Sequence, residues 1–255
     1  KNGHLAGAAV DVFSQEPPGR IGLLQLDNLI ATPHLGASTS EAQENVAVQI
    51  AEQMSDYLLL GAVSNALNMP AVSSEEAPKM RPYITLASQL GLLVGQLIDK
   101  ALVSVTIEFC GLVANLNTKS LAAITLEGLL KKQLESVNMV NAPMIARERN
   151  IEVREVTTDI SSNYQALIKL IAKTDDERHE VSGTLFSNQD PRVVEIDGIK
   201  VEAELSGNML FLVNEDKPGI IGNLGTTLGA SNVNIATFHL GRASRGGNAL
   251  ALISV

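Results

Sequence analysis

The stretch Asn65–Lys79 limits what this chain can fold into more than any other, because two prolines, two serines and two glutamates crowd into one short run between long apolar-periodic segments. Punctuation of that kind marks a loop or linker. Before it, Val46, Ile50, Met54, Tyr57 and Leu58 recur at helical spacing; after it, Leu86, Leu90, Leu93, Val94 and Leu97 do the same. At least two packed bodies must therefore flank it, and 255 residues agree with that. The pattern predicts three blocks, 1–70, 80–201 and 207–255.

In the first block Leu5–Phe13 reads as a buried strand, Ser14–Asn28 as a loop and Leu29-Ile30-Ala31 as a short strand. A helix follows with Ser40 and Gln43 as a capping box and Gly61 as its stop. In the second block Pro82 suits a first helical turn, Leu102–Phe109 alternates as a strand and Ser120–Leu134 is helical. Ile151–Val156 and Leu167–Ala172 read as strands, with turn signals at Asp175-Asp176 and Asp197-Gly198. This predicts an α+β domain with an antiparallel or mixed sheet. The third block reads strand (Met209–Val213), helix from Pro218-Gly219 carrying Ile221, Leu224 and Leu228, then strands Val233–Leu240 and Ala249–Val255 about a Gly246-Gly247 turn. That is one helix and one strand short of a ferredoxin-like βαββαβ unit.

Composition removes several classes of function. A net charge of −9 without a Lys/Arg cluster argues against nucleic acid, which demands a basic face. The single cysteine, Cys110, excludes an internal disulfide and a CxxC metal site, and no metal is expected. The longest apolar stretch, Leu86–Ile107, is broken by Gln89, Gln96, Asp99 and Lys100, which argues against a membrane span and for the cytoplasm. Lys1-Asn2-Gly3-His4 leads straight into a strand pattern, and Ala249–Val255 is an apolar strand with nothing after it, so the chain reads as a piece of a longer protein.

Two ionisable residues stand out near the N-terminal end: Glu16, just before a double proline, and His34, at the end of a strand and before a glycine turn. Oxidising a secondary alcohol needs a base for the hydroxyl proton, and histidine titrates in the right range. A carboxylate on the far ring nitrogen would fix its tautomer. Spacing alone equally allows a surface glutamate and a loop-capping histidine. The runs Gly7–Phe13, Glu16-Pro17-Pro18 and Asp27–Thr39, with Asn65–Pro70 downstream, resemble the end of the nucleotide-binding domain of the D-isomer-specific 2-hydroxyacid dehydrogenases, in particular their 3-phosphoglycerate-oxidising branch. The resemblance implies that His34 is the proton donor and acceptor and Glu16 its partner. It implies that Asp11 contacts the nicotinamide end of NAD, and that His34, Leu35, Gly36 and Ala37 lie against the nicotinamide. The family's Gly-rich fingerprint and substrate arginine are missing, and Arg20 does not stand in for the latter. The expectation is that this polypeptide alone turns nothing over.

At the other end, Val213–Gly222 joins a strand to a helix N-terminus, a place suited to a carboxylate, with Asp216 available for an ammonium group. Asn234 begins the next strand. Asp216 as a helix cap and Asn234 as a turn residue are the plainer alternatives. The pattern strand–Asp216-x-Pro218-Gly219–helix–Asn234-Ile235 resembles the ACT domain, here truncated. The resemblance implies L-serine as effector at Asn214, Asp216 and Asn234, and assembly into a homo-oligomer, a tetramer. Block 80–201 resembles the intervening, anion-binding domain of the long-form enzymes. Lys131, Lys132, Arg147, Arg149 and Lys169 are candidate anion contacts there, though ordinary solvated charge explains each, and no site is assigned. Two other readings stand beside the dehydrogenase: a non-enzymatic amino-acid sensor, and a regulatory part of an L-serine dehydratase. Both leave Glu16 and His34 unexplained.

Overall fold

A computed structural model describes residues 4–159, 163–205 and 207–255. Lys1, Asn2 and Gly3, which open the first strand pattern, lie outside the described residues. The chain divides after Leu60 into two compact units.

In the first unit β1 (Ala8–Val10) and β2 (Leu29–Ala31) pair in parallel. The expected strand Leu5–Phe13 shrinks to β1 because the ladder closes at its far end, where the Asp11 carbonyl accepts from His34 N–H at 2.9 Å. β1 is also exposed or half-buried rather than buried. Parallel strands are ordinarily covered on both faces, and here Ile30 is 69% exposed. A 3₁₀ turn, Gly22–Gln25, lies in the intervening loop. Helix α1 spans Ser40–Leu60. Its cap is Thr39, not Ser40: Ala42 N–H donates to Thr39 Oγ1 at 3.1 Å, so the reciprocal Ser40/Gln43 box does not form. Gly61, at φ +79°, ends the helix as expected. The stripe Val46–Ile50–Met54–Tyr57–Leu58 lies on the surface of this unit.

The second unit begins with a loop rather than a free linker. Val63 and Val72 form an antiparallel bridge, and Ala62 and Val72 enter the core. Helix α2 (Ala77–Leu97) starts a turn earlier than expected: Pro78 takes the first-turn position and Pro82 falls inside the helix. Next come β3 (Ser104–Gly111), α3 (Thr118–Leu130) and α4 (Ala142–Glu148). α3 is capped by Asn117, whose side chain accepts from Ser120 N–H at 3.1 Å. It ends four residues short of Leu134, in tight turns where Lys131 N–H reaches Gly128 O and Gln133 N–H reaches Leu130 O. The strands β4 (Glu152–Thr158), β5 (Ala166–Lys173), β6 (Arg178–Phe186), β7 (Asp190–Ile196) and β8 (Ile199–Ala203) complete a mixed sheet, ordered β4-β3-β5-β6-β7-β8 among the described residues. Only β3 and β4 run parallel. The turn Asp197-Gly198 holds both residues at positive φ, as a two-residue hairpin requires.

β3 alternates half-buried and buried residues along its whole length, so one face of the sheet takes the helices. Phe109, Ile107, Ile168 and Leu170 meet Leu86, Leu90, Leu121 and Leu129 there. α2 and α3 cross at backbone contact: a Cβ on Gly91 would lie 2.3 Å from Thr125 O, and one on Gly128 2.7 Å from Ser88 O. Cys110 is half-buried in β3, where burial pushes its thiol pKa up.

The last elements are β9 (Met209–Glu215), α5 (Ile220–Ala230), β10 (Thr237–Arg242) and β11 (Asn248–Ser254), in an antiparallel sheet ordered β10-β11-β9. β10 starts later than Val233 because α5 ends in a Schellman motif: Asn232 sits at φ +59°, its N–H reaches Gly229 O, and Val233 N–H reaches Leu228 O. One face of this sheet, through Leu250, Leu252, Met209 and Phe211, joins the core beneath the larger sheet.

Candidate active site

Parallel strands present their carboxyl ends to ligands. Asp11 directly follows β1, and Thr32-Pro33-His34 directly follows β2. Register alone therefore brings them together. Thr32 N–H reaches Val10 O at 3.0 Å, and His34 is placed at φ +57°, a left-handed conformation uncommon outside glycine.

Two carboxylates fix this turn. Glu16 returns from the loop after β1. Its Oε1 accepts from Phe13 N–H at 3.0 Å, and its Oε2 lies 2.7 Å from His34 Nδ1. Asp11 Oδ1 accepts from Thr32 Oγ1 at 2.5 Å and from Leu35 N–H at 2.7 Å, and Oδ2 accepts from Gly36 N–H at 2.8 Å. Among the described residues, Nε2 of His34 has no hydrogen-bond partner, and the ring is 55% exposed. An imidazole held at Nδ1 by a carboxylate and open at Nε2 can take up and return one proton.

The electrostatics follow the hydrogen bonds. The bond to Glu16, and then its charge, raise the His34 pKa above the ordinary imidazole value. The Phe13 N–H, and then His34, hold the Glu16 carboxyl low. The Thr32 hydroxyl, the Leu35 N–H and the Gly36 N–H do the same for Asp11. Phe13 and Thr32 were not singled out from sequence. Thr32 lay inside the quoted run, but a hydroxyl in a Thr-Pro-His string does not announce its acceptor.

The third block has its own pocket, of about 90 Å³ and mostly apolar in lining, between α5 and the sheet. Asn214 and Asp216 line it with Leu212, Ile220, Leu224 and Ala251. Asn234 is exposed and is not among the lining residues. Asn214 Nδ2 donates to Glu215 O at 2.6 Å. Asp216 Oδ2 accepts from Arg242 Nη1 at 3.1 Å and Gly246 N–H at 3.3 Å, and these, the Gly246 N–H first, hold its carboxyl low. The cap of α5 is Gly219, at φ +96°, rather than Asp216. Arg242 reaches this site only through the pairing of β10 with β11, a separation that sequence spacing does not reveal.

The middle-block cations do not converge. Lys132 pairs with Asp99 at 2.6 Å, Lys169 with Glu180 at 2.6 Å, Lys131 donates to Val137 O and Arg149 to Gln133. Among the described residues no helix is long and apolar enough to cross a membrane.

Known proteins resemble this chain along its length. Residues 79–197 match the family described as D-3-phosphoglycerate dehydrogenase intervening domain. Residues 1–36 match the D-isomer specific 2-hydroxyacid dehydrogenase, NAD binding domain. The chain is 38% identical over its full length to a D-3-phosphoglycerate dehydrogenase of Bacillus subtilis, covering 49% of that protein. It is 41% identical over 98% of its length to one of Synechocystis, covering 46%, and 38% identical over its full length to one of Methanocaldococcus jannaschii, covering 48%. The chain thus spans about half the length of the curated relatives it matches.

Proposed function

We propose that this chain, similar along its length to D-3-phosphoglycerate dehydrogenases, supplies the acid–base pair and the regulatory part of an NAD-dependent enzyme converting 3-phospho-D-glycerate to 3-phosphohydroxypyruvate. The single observation that carries this reading is the 2.7 Å contact of His34 Nδ1 with Glu16, which leaves Nε2 open. In the oxidation His34 Nε2 takes the proton of the substrate's secondary hydroxyl. Glu16 holds the ring and stabilises the imidazolium as it forms. A bound NAD would supply the acceptor for the hydride on the same carbon. The turn His34–Ala37 suits the nicotinamide end: it is exposed, and among the described residues Asp11 Oδ2 accepts only the Gly36 N–H, which leaves room for one further donor.

In this reading residues 1–70 are the end of the catalytic domain, 80–201 the intervening domain and 207–255 an ACT module. The strand order β10-β11-β9, with α5 on one face, supports the last assignment. L-Serine is its effector, contacting Asn214 and Asp216 in one pocket, with Asn234 adding an amide from across a subunit interface, and the enzyme works as a cytoplasmic homotetramer at the head of L-serine synthesis. A sensor without enzymatic activity would leave the His34–Glu16 pair without purpose, so the dehydrogenase reading is preferred.

The test is His34→Ala in the whole enzyme that carries this chain. Turnover of 3-phosphoglycerate is expected to vanish while NAD still binds. Near-normal NADH formation by the variant would remove His34 from the chemistry.

A further inference from the structure

We propose that Asp11 is the positioning residue for His34, folding Leu35 and Gly36 around its carboxyl group and taking the His34 N–H on its main-chain carbonyl, so that the imidazole is presented with His34 in its left-handed conformation. This deepens the acid–base reading above and rests on it. The backbone N–H groups of three successive residues end on Asp11: His34 on the carbonyl oxygen at 2.9 Å, Leu35 on Oδ1 at 2.7 Å and Gly36 on Oδ2 at 2.8 Å. Successive N–H groups converging in this way form a nest for negative charge. Here the charge comes from the chain itself. The hydroxyl of Thr32, 2.5 Å from Oδ1, anchors the carboxylate from the β2 side. Asp11 is thus tied to strand and turn at once, and His34 stands between the two.

A carboxylate offers about four acceptor positions, and the turn and Thr32 fill three of them. Contact with a bound cofactor would be left the remaining one, on Oδ2. Gly36 belongs to the same device. A Cβ there would stand 3.2 Å from Oδ2, so a side chain crowds the bond that closes the nest. His34, at φ +57°, is held by its own N–H on the Asp11 main-chain carbonyl and by its ring on Glu16, and the Asp11 carboxylate adds the inward turn of the Leu35 and Gly36 N–H groups.

Asp11→Asn in the whole enzyme separates positioning from cofactor contact. The amide turns an N–H₂ toward an N–H of the nest. The expected result is a kcat lower by about 10- to 100-fold, the scale of a small misplacement of a catalytic group, with KM for NAD near the wild-type value. Gly36→Ala, which keeps the carboxylate, should give the same split to a smaller degree. Thr32→Val should lose kcat, and Thr32→Ser should recover what Thr32→Val loses. A kcat that holds while KM for NAD rises would overturn the proposal and leave Asp11 a cofactor contact only. If Asp11→Asn does not fold, the Gly36 and Thr32 variants decide, and wild-type kcat in both overturns it. Failure of the underlying acid–base reading would show separately, as turnover surviving His34→Ala.

Discussion

At the scale of single residues, the hydrogen bond at His34 Nδ1 has consequences on two pH scales. In the proposed reaction, hydride transfer from the alcohol needs the imidazole neutral at Nε2, so oxidation should rise with pH as His34 loses its proton. Glu16 raises that pKa, first by its hydrogen bond and then by its charge. Glu16→Gln should therefore move the acid limb of kcat/KM down toward the ordinary value of 6.5. It should also lower the rate, because an amide neither fixes the tautomer as firmly nor stabilises the imidazolium. A pH profile of phosphoglycerate oxidation reads both, and a limb that stays in place or moves up would contradict the pairing. For stability the signs differ. The raised His34 pKa favours the folded state below the unfolded imidazole value, and the gain fades as pH rises through the folded one. The lowered Glu16 pKa favours the folded state above the unfolded carboxyl value, and that gain fades as pH falls. Both groups face solvent, so the catalytic profile is the sharper readout. The pair was expected only through the family resemblance, since spacing alone equally allowed a surface glutamate and a loop-capping histidine. The Asp11 clamp was not legible, because its three donors are backbone N–H groups and a hydroxyl, which spacing does not reveal.

At the scale of elements, apolar periodicity placed the long helices and the alternating strand β3, where one face is wholly core. It misjudged ends governed by local hydrogen bonds: Thr39 rather than Ser40 starts α1, Pro78 rather than Pro82 starts α2, and Asn232 delays β10. The hairpin β6–β7 escaped notice because Ser187 and Asn188 adopt positive φ without a glycine to advertise the turn. The glycines of α2 and α3 carry a message the sequence concealed. Gly91 and Gly95 on one helix and Gly128 on the other let backbones touch, and a Cβ on Gly95 would lie 2.5 Å from Leu129 O. The obstacle is main chain, which cannot turn aside as a side chain can. Gly128→Ala should therefore destabilise the second unit by about 1–3 kcal/mol, the usual cost of overpacking, despite the higher helix propensity of alanine. Chemical denaturation would show the midpoint falling, and an unchanged or raised midpoint would mean that the helices slide apart without penalty.

At the scale of the whole molecule, the smaller sheet of the second unit separates two environments. One face, through Leu250, Leu252, Met209 and Phe211, is built into the core shared with the larger sheet. The other face and α5 enclose the pocket of Asn214 and Asp216. The pocket exists only when sheet and α5 are folded together, so the binding free energy of a molecule held there adds to the stability of the unit. The loop motif and the resemblance to an ACT domain implied an amino-acid pocket there, but not that Asp216 is already engaged by Arg242 and the Gly246 N–H. An incoming ammonium group must displace the guanidinium, which lowers affinity by the cost of breaking that pair. Calorimetry with L-serine on the intact protein should accordingly show weak binding, lost in Asp216→Ala and strengthened in Arg242→Gln, where the carboxylate is released. Melting temperature should rise with L-serine in the same order across the variants. Equal heats from wild type and Asp216→Ala would dismiss the pocket as the effector site. Weaker binding in Arg242→Gln would make the arginine a ligand of serine's carboxylate rather than its competitor, and would reverse the role assigned to the pair.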